Sequence, residues 1–438
     1  MTIKTITVGN YKNIALTTLN CPHMLALVSP NNYGKSNMLE AIRFGLDFLS
    51  ASSKTRNAMM RHLPRIPLSP SLAGKDFTFS IEFDEPSLGQ YRYMRYGYQF
   101  SWYNDQGTGA KITNESIELR PNESVKYTSY LKRGDGKFRP SKSTSSFRKL
   151  KLRDDALAID AIELISGVEI SDALKALKKL GYRLCNALEL DDSFIPSPFA
   201  FEGLEVDASF GNEDIPQMIA MLKAERPDLY SLYIETIYDL FPEFRRIELQ
   251  KLTMQESTIQ KLQAFMVTED DGTEKKTEIP YHIRNDIYRL IVESDYLNQP
   301  ISMEYMSTGT KRIFWLIANA VVSEYRNINL LGIDEVETSI HPRMLRGLLE
   351  SLDELLGKTS MIVTSHSPYL IQYLKPEWIY IGVPHKDGVA TFRRIQRSKV
   401  KLLLKAARGL EMSIGEYLFD LMSGDEDSIQ ILSAYLED

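Results

Sequence analysis

An apolar strand that runs directly into a glycine-lysine-serine loop and then a helix restricts the fold of this 438-residue chain more than any other feature. The run Met24–Val28 is short and apolar throughout, as expected of a strand buried on both faces. The loop Ser29–Ser36 follows it, and from Lys35 to Leu49 apolar residues recur at helical spacing. This order predicts an α/β domain with a phosphate-binding loop.

The loop contains the residues that phosphate chemistry requires. Such a loop turns successive backbone N–H groups toward phosphate oxygens, and the helix N-terminus adds about half a positive charge. Lys35 would neutralise the β- and γ-phosphates, and Ser36 would hold Mg²⁺. Ser29 stands where the usual pattern begins with glycine, so we expect some backbone strain there. A Gly-Lys-Ser triplet also occurs by chance, so the prediction depends on the strand before it and the helix after it.

A pair of acids ends a second apolar strand. The run Leu330–Ile333 is followed by Asp334 and Glu335. A strand tip of this kind presents the first carboxylate to Mg²⁺, usually through water, and the second can polarise an attacking water. Alone, the pattern would indicate an acidic turn; after a phosphate loop it predicts a catalytic pair.

Two further motifs are weak in isolation. Ser307 and Gly309 precede an apolar helix and would offer an anion a hydroxyl and a helix N-terminus, although a simple N-cap explains them as well. His366 follows a β-branched strand, where a neutral imidazole can hydrogen-bond a γ-phosphate or the attacking water. A lone histidine is more often a capping or core residue.

The order of the four motifs is specific. Loop 29–36, turn 307–309, acids 334–335 and His366 resemble the Walker A, signature, Walker B and switch histidine of ABC-type ATPases in the RecF, SMC and OLD group. The resemblance covers about residues 1–120 and 240–385. It is greatest to the OLD-like prokaryotic ATPases, through the segments Asn31–Asn37, Tyr91–Tyr93, Ile333–Pro342 and Thr364–Pro368.

The resemblance implies an α/β fold: an ABC-type ATPase head with a parallel core sheet, an antiparallel β-subdomain and an inserted, mainly helical domain. It also implies slow ATP hydrolysis between two copies of the chain. Glu335 would be the general base, His366 the γ-phosphate sensor, and Asp334 with Ser36 the Mg²⁺ ligands. The implied ATP contacts are Asn31, Asn32, Gly34, Lys35, Ser36 and Asn37, with Ser307 and Gly309 contributed by the second copy.

Three positions depart from the family pattern or leave it open. Thr308 replaces a glycine of the signature motif. The glutamine of the Q-loop is either Gln90 or Gln99. Glu337 is either a second acid near the site or a solvated residue at a helix start.

The chain is predicted to have four segments. The aromatic alternation of residues 76–119 predicts a β-meander. The predicted segments are 1–120, a head lobe with Walker A and the meander; 121–240, a basic segment and helical insertion; 241–398, a head lobe with the signature, Walker B and switch histidine; and 399–438, a helical tail.

A basic stretch lies at 126–153. Its ten basic residues and one acid, Asp135, give it a net charge of +9, and aromatic residues are interleaved. Three interpretations stay open: a solvated arm, nucleic-acid binding through phosphate pairing and base stacking, and docking of an acidic protein. The net charge of −6 for the whole chain argues against a protein that coats nucleic acid.

The chain is expected to act on a partner. Only 72 residues follow His366, too few for the Toprim nuclease domain that OLD-like proteins often carry, and the six histidines are scattered. We therefore expect a separate effector encoded nearby, similar to the arrangement in two-gene antiphage systems such as Septu and PARIS. The alternative is a RecF-like DNA-repair ATPase that uses 126–153 on DNA. A non-catalytic scaffold is disfavoured by Glu335.

The remaining composition indicates a cytoplasmic protein. Cys21 and Cys185 are predicted to be reduced core residues. No apolar run reaches about 18 residues, so we expect no membrane span. The first residues alternate like a strand and lack the apolar centre of a signal peptide.

Overall fold

The structure is a computed structural model of the chain. It describes residues 1–67, 69–104, 106–135, 137–138, 148–149, 152–162, 170–185, 193–201, 214–255, 266–268, 274–276, 281–383 and 387–437. These residues form two compact units, of which the first comprises Met1–Leu184, Ile328–Val336 and Lys358–Asp438, and the second Cys185–Asn327 and Glu337–Gly357. The division into four segments stays a prediction.

The strands and helices are labelled in chain order. The strands are β1 Thr2–Gly9, β2 Thr17–Asn20, β3 Met24–Val28, β4 Phe77–Asp84, β5 Tyr93–Ser101, β6 Lys111–Arg120, β7 Thr128–Lys132, β8 Lys137–Phe138, β9 Arg148–Lys149, β10 Gly181–Cys185, β11 Phe199–Phe201, β12 Phe244–Thr253, β13 Met266–Thr268, β14 Glu274–Lys276, β15 Tyr281–Ile283, β16 Asp286–Ser294, β17 Ile301–Ser302, β18 Ile328–Ile333, β19 Ser360–Ser365, β20 Ile379–Val383 and β21 Thr391–Arg394. The α-helices are α1 Lys35–Ser50, α2 Ser53–Met60, α3 Ala158–Ile162, α4 Ser171–Lys178, α5 Ile215–Glu225, α6 Pro227–Leu240, α7 Thr308–Tyr325, α8 Pro342–Leu355, α9 Pro368–Tyr373, α10 Val400–Gly409, α11 Ile414–Ser423 and α12 Glu426–Ser433.

A mainly parallel sheet forms the core of the first unit. Its strand order is β10-β18-β19-β3-β20-β21, and β18, β19, β3 and β20 run parallel while β21 is antiparallel. Every residue of these four parallel strands is buried. Parallel strands end at the same edge of a sheet, so the loop after β3 and the residues after β18 and β19 emerge together.

An antiparallel sheet also belongs to the first unit. Among the described residues it has the order β2-β1-β4-β5-β6-β7-β8-β9, with Phe79 opposite Tyr98 between β4 and β5. Helix α1 packs on it through Phe48, whose ring stacks on Phe100 with the centroids 4.9 Å apart. A Cβ atom on Gly45 would lie 2.1 Å from the ring of Phe79, so this glycine lets α1 approach the sheet closely. The sheet thereby fixes the helix that begins at the phosphate loop.

The second unit contains an antiparallel sheet of order β12-β16-β17 and the helices α5 to α8. The helix α7 buries most of its residues, including Phe314 and Trp315. Of the helices that the structure describes, none is long and apolar enough to cross a bilayer.

Most predicted elements are confirmed. The predicted fold class is correct, the predicted helix at 35–49 is α1, and the meander corresponds to β4, β5 and β6. Both cysteines are buried free thiols. Strand β12 begins at Phe244 and ends at Thr253, and residues 256–265 lie outside the described residues.

Candidate nucleotide-binding site

The phosphate loop has a backbone that only glycine permits at one point. Gly34, immediately before α1, has φ 97°, and Asn32 has φ 66°. A Cβ atom on Gly34 would lie 3.1 Å from the side-chain amide of Asn13 and 3.0 Å from Cβ of Ala390. The left-handed backbone would strain any other residue at position 34, and the neighbouring atoms would have to move by a few tenths of an ångström.

Lys35 is buried inside the loop. Its ammonium donates hydrogen bonds to the carbonyl oxygens of Ser29, at 2.9 Å, and Pro30, at 3.1 Å. The side chain therefore folds back over the loop, and the positive charge lies among the backbone groups that would surround a phosphate.

Ser29 fits its place without the strain that the sequence predicted. It is fully buried and is absent from the residues with positive φ, so the expectation of backbone strain is wrong. The space for its side chain comes from Gly382 on the neighbouring strand β20, where a Cβ atom would lie 2.7 Å from Cβ of Ser29. The loop therefore tolerates a serine at its first position because the residue beside it on the adjacent strand is a glycine.

The acidic pair after β18 is held by Thr364 of β19. Glu335 has φ 49°, a left-handed conformation that costs a non-glycine residue about 1–2 kcal/mol. Its backbone N–H donates to Oγ1 of Thr364 at 2.8 Å, and the same hydroxyl donates to Oδ1 of Asp334. Such strain persists where surrounding contacts enforce it, and it is common at functional sites.

One pocket brings most of the predicted site residues together. Its volume is about 530 Å³, and Nδ1 of His366 lies 4.0 Å from Oε1 of Glu335. Both side chains are partly exposed. The pocket is lined by Asn31, Asn32, Gly34, Lys35, Ser36, Asn37, Glu335 and His366.

A turn that the sequence analysis did not single out lies against the start of α1. Asn37 donates to Oδ1 of Asn13 at 2.8 Å and accepts from Lys12 at 3.3 Å. Lys12 also pairs with Glu40, and Tyr11 donates to the same carboxylate at 2.8 Å. Burial works to raise the pKa of Glu40, but the hydrogen bonds from Lys12 and Tyr11 outweigh it and lower that pKa. The asparagine-rich sequence between β1 and β2 was the available signal for this turn.

The predicted magnesium ligands fit the ion by their chemistry. A serine hydroxyl and a carboxylate are the hard oxygen donors that Mg²⁺ prefers. Ser36 lines the pocket, and Asp334 follows β18 at the same sheet edge. Within the described ranges no group of three or more His, Cys, Asp or Glu side chains could hold a metal.

The two predicted signature residues lie in the second unit. Ser307 is exposed and caps α7, accepting a hydrogen bond from the backbone of Thr310 at 3.2 Å. A Cβ atom on Gly309 would lie 2.5 Å from the carbonyl oxygen of Ser339. The N-cap is therefore confirmed, and contact with a nucleotide stays a prediction.

The structure answers only part of the questions left open by the sequence, which concern the Q-loop glutamine and Glu337. Gln90 donates to the hydroxyl of Tyr91 at 3.1 Å and Gln99 to that of Thr78 at 3.3 Å, and neither lines the pocket as the structure describes it. Glu337 lies in a turn, and α8 begins only at Pro342. The helix-start interpretation of Glu337 is therefore wrong.

The basic stretch is described only in part, because 136, 139–147 and 150–151 lie outside the described residues. Tyr130 is fully buried. The guanidinium groups of Arg95 and Arg120 lie 4.3 Å and 4.5 Å from the ring centre of Tyr127. These two tyrosines pack within the fold, and binding of nucleic acid by 126–153 stays a prediction.

The fold and the pocket define a class of protein. A phosphate loop after one strand of a parallel sheet, an Asp-Glu pair and a histidine after its neighbours, and an attached antiparallel sheet together make an ABC-type ATPase head. The chain belongs to the family described as "AAA domain, putative AbiEii toxin, Type IV TA system", which matches residues 24–372.

Two known proteins show how far the likeness extends. The Septu protein PtuA of Bacillus thuringiensis is 26% identical over 184 residues, which are 39% of this chain and 44% of PtuA. The chain thus spans less than half the length of that relative. The crystal structure of an SmcHead bound to the C-winged helix domain of ScpA superimposes with a TM-score of 0.52 at 14% identity, covering 92% of this chain and 100% of that one. This second likeness shows the fold alone.

Proposed function

We propose that the chain binds ATP with Mg²⁺ between two copies of itself, hydrolyses it slowly, and uses this cycle to control a separate effector, a nuclease or toxin, in antiphage defence. The observation that supports hydrolysis best is the shared pocket, in which Glu335 and His366 lie beside the phosphate loop. Membership of an AAA family and the likeness to PtuA support a defence ATPase.

Each pocket residue has a role in this proposal. The backbone N–H groups of the loop bind the phosphates, and Lys35 balances the charge of the β- and γ-phosphates. Ser36 and Asp334 hold Mg²⁺, which supplies charge neutralisation on the phosphate oxygens. Glu335 accepts the proton of the attacking water, and His366 donates a hydrogen bond to the γ-phosphate.

The second copy completes the site. Ser307 and Gly309 of that copy would contact the γ-phosphate through the exposed N-terminus of α7. ATP then favours the paired state, and hydrolysis releases it. A nucleotide that binds one state better than another shifts the population toward that state, which is the physical basis of a switch.

Two variants separate binding from hydrolysis. Glu335→Gln removes the base and keeps the loop, so we expect ATP-dependent pairing to persist while phosphate release falls by about 10²–10⁴-fold. Lys35→Ala should lose both. Light scattering with and without Mg-ATP, and a phosphate-release assay, would measure this. Glu354→Gln, at an exposed glutamate, is the matched control. Unchanged phosphate release in Glu335→Gln would refute the proposed catalysis.

The defence role is tested in cells. The chain would be expressed with the product of the neighbouring gene, and that product should co-purify with it. Lys35→Ala should abolish protection in a phage plating assay. A chain that captures no partner and gives no protection when unmodified would contradict the effector proposal and leave the ATPase assay unaffected.

A further inference from the structure

A second basic segment lies near the C-terminus, away from 126–153. Between positions 393 and 408 no Asp or Glu occurs. The basic residues of this segment are Arg393, Arg394, Arg397, Lys399, Lys401, Lys405 and Arg408. The structure describes all of them.

Four of these residues form one exposed row. Lys401, Lys405 and Arg408 follow one another on α10 at spacings of four and three residues, which places them on the same face of the helix. Arg397 lies one turn earlier, and all four are exposed. The opposite face of α10 is buried through Leu403 and Ala407. We call Arg397, Lys401, Lys405 and Arg408 the basic stripe.

In the described part of the chain, no member of the basic stripe lies within ion-pair distance of an acidic side chain. None of its members takes part in an ion pair there, whereas some exposed helix cations elsewhere are paired at i+4, as in Arg346–Glu350 at 2.9 Å. Like charges three or four residues apart repel each other in a helix. Packing of α10 does not require them, so the row has a cost in stability that binding of an anionic surface would offset.

Neighbouring apolar residues indicate that this surface is a protein. Leu402 and Leu410 are 52% and 59% exposed beside the basic stripe. A nucleic-acid backbone offers leucine side chains nothing to pack against, whereas protein interfaces combine apolar anchors with a charged rim.

An acidic surface that could bind the basic stripe lies on the neighbouring C-terminal helices α11 and α12. Helix α11 packs against both α10 and α12. Asp420 on α11, with Asp425 and Asp427 around the start of α12, are exposed, and Ile431 nearby in α12 is 47% exposed. We call Asp420, Asp425 and Asp427 the acidic rim. No ion pair joins the rim to the stripe within the described chain.

We propose that the basic stripe of one copy docks on the acidic rim of a second copy. The two surfaces differ, so the contact is head-to-tail and repeats from copy to copy. It uses none of the residues of the nucleotide pocket. It is therefore a second mode of self-association, independent of the ATP-bound pair proposed above.

The three C-terminal helices α10 to α12 also contact the segment that follows His366. Helix α11 packs on α9, which begins two residues after His366. A Cβ atom on Gly415 of α11 would lie 1.9 Å from the carbonyl oxygen of Pro368. A neighbour bound to α10 or α12 thus acts on a helix that is in backbone contact with the end of the histidine loop.

Charge-reversed variants test the contact. One variant carries Lys401→Glu, Lys405→Glu and Arg408→Glu, and the other carries Asp420→Lys and Asp427→Lys; Asp425 is left intact because it caps α12. Sedimentation velocity of the full chain would be run without nucleotide and with EDTA, at about 50 mM and about 500 mM salt. Lys54→Glu, Lys75→Glu and Lys358→Glu, at exposed lysines elsewhere, give the same change of net charge as the first variant.

The proposal predicts salt-sensitive association of the wild-type chain. Each reversed variant alone should self-associate at least about tenfold more weakly than the wild type. An equimolar mixture of the two variants should associate again, because each then offers the charge that the other needs. The control should behave as wild type. A wild-type chain that stays monomeric at low salt, or a mixture that fails to associate while both variants keep the wild-type melting curve, would overturn the proposal. The proposal would also be overturned if the basic stripe bound duplex DNA and did not bind a second copy of the chain. Since nucleotide is absent, none of these results bears on the proposed ATP-dependent pairing.

Discussion

The hydroxyl of Thr364 accepts a hydrogen bond from the backbone N–H of Glu335 at 2.8 Å. The same hydroxyl donates to Oδ1 of Asp334. Thr364 is fully buried and lies two residues before His366. A single side chain on β19 therefore links the carboxylate proposed to hold Mg²⁺ to the strained backbone of the proposed base.

Replacing this hydroxyl should affect metal use more than nucleotide binding. Thr364→Val keeps the shape of the side chain and removes both hydrogen bonds, which costs about 1–3 kcal/mol at a buried site. We expect the Mg²⁺ concentration for half-maximal ATP hydrolysis to rise and the maximal rate to fall about tenfold, one decade for each 1.4 kcal/mol. Thr364→Ser retains the hydroxyl and should restore both. Equal Mg²⁺ dependence in the Val and Ser variants would show that Thr364 only fills space.

Ser29 and Gly382 should show coupled effects on stability. Gly382→Ala places a Cβ atom 2.7 Å from that of Ser29, and such overpacking costs about 1–3 kcal/mol. In a Ser29→Gly background that clash is absent, and the same substitution should cost less. Urea unfolding of the four combinations gives the interaction free energy, which we expect to be about 0.5–3 kcal/mol. Additive costs would mean that the two residues do not share the space.

The parts of the site that sequence predicted are those that follow one another in the chain. Asn31 to Asn37 form the loop and the first residues of α1, and their spacing is itself the signal. Glu335 and His366 each follow an apolar strand. The structure places these residues around one pocket. Parallel strands end at one edge, so strand order alone brings separate motifs together.

The parts that sequence missed depend on pairs of distant residues. Thr364 looks like any β-branched strand residue, and its role is visible only beside Glu335. The space that Gly382 leaves for Ser29 has no periodicity to reveal it. The basic stripe also escaped notice, because a row of cations has meaning only once the buried face of α10 is known. Local patterns identify elements, and the contacts between them follow from packing.

Glu115 should make the stability of the first unit depend on pH. This fully buried carboxyl has a pKa raised to about 7 by burial, although the backbone N–H groups of Ala158 and Ile159 oppose the shift. The folded chain then binds the proton more tightly than the unfolded chain, whose carboxyl has the ordinary pKa of 4.5. The contribution to stability is complete below about pH 4.5, is lost as the pH rises to about 7, and amounts to roughly 3 kcal/mol.

A neutral isostere isolates this effect from other titrations. Glu115→Gln keeps one acceptor oxygen for the N–H of either Ala158 or Ile159, which donate to different oxygens of the carboxylate, and places an amide NH2 group at the other. This lowers stability at every pH, and the variant should be less sensitive to pH between about pH 5 and 8 than the wild type. Urea unfolding at several pH values would measure the difference. Glu118→Gln on the same strand, at a more exposed carboxylate paired with Arg95, is the control. If the two variants and the wild type had parallel pH profiles, burial of Glu115 would not be the cause.

Gly415 should connect the C-terminal helices to hydrolysis. The Cβ atom of Gly415→Ala would lie 1.9 Å from a backbone oxygen, that of Pro368, so no side-chain rotation relieves the clash. Either α11 or the segment after His366 must move. If His366 contacts the γ-phosphate, this displacement should lower the rate of ATP hydrolysis about tenfold, as loss of roughly 1.4 kcal/mol would, and leave nucleotide affinity at the Lys35 loop nearly unchanged. The matched control is Gly409→Ala at the end of α10, where a Cβ atom would meet nothing within 4 Å. Equal rates for the two alanine variants would mean that the contact with Pro368 has no influence on the pocket, whereas a selective loss in Gly415→Ala would place the C-terminal helices in the path by which His366 is positioned.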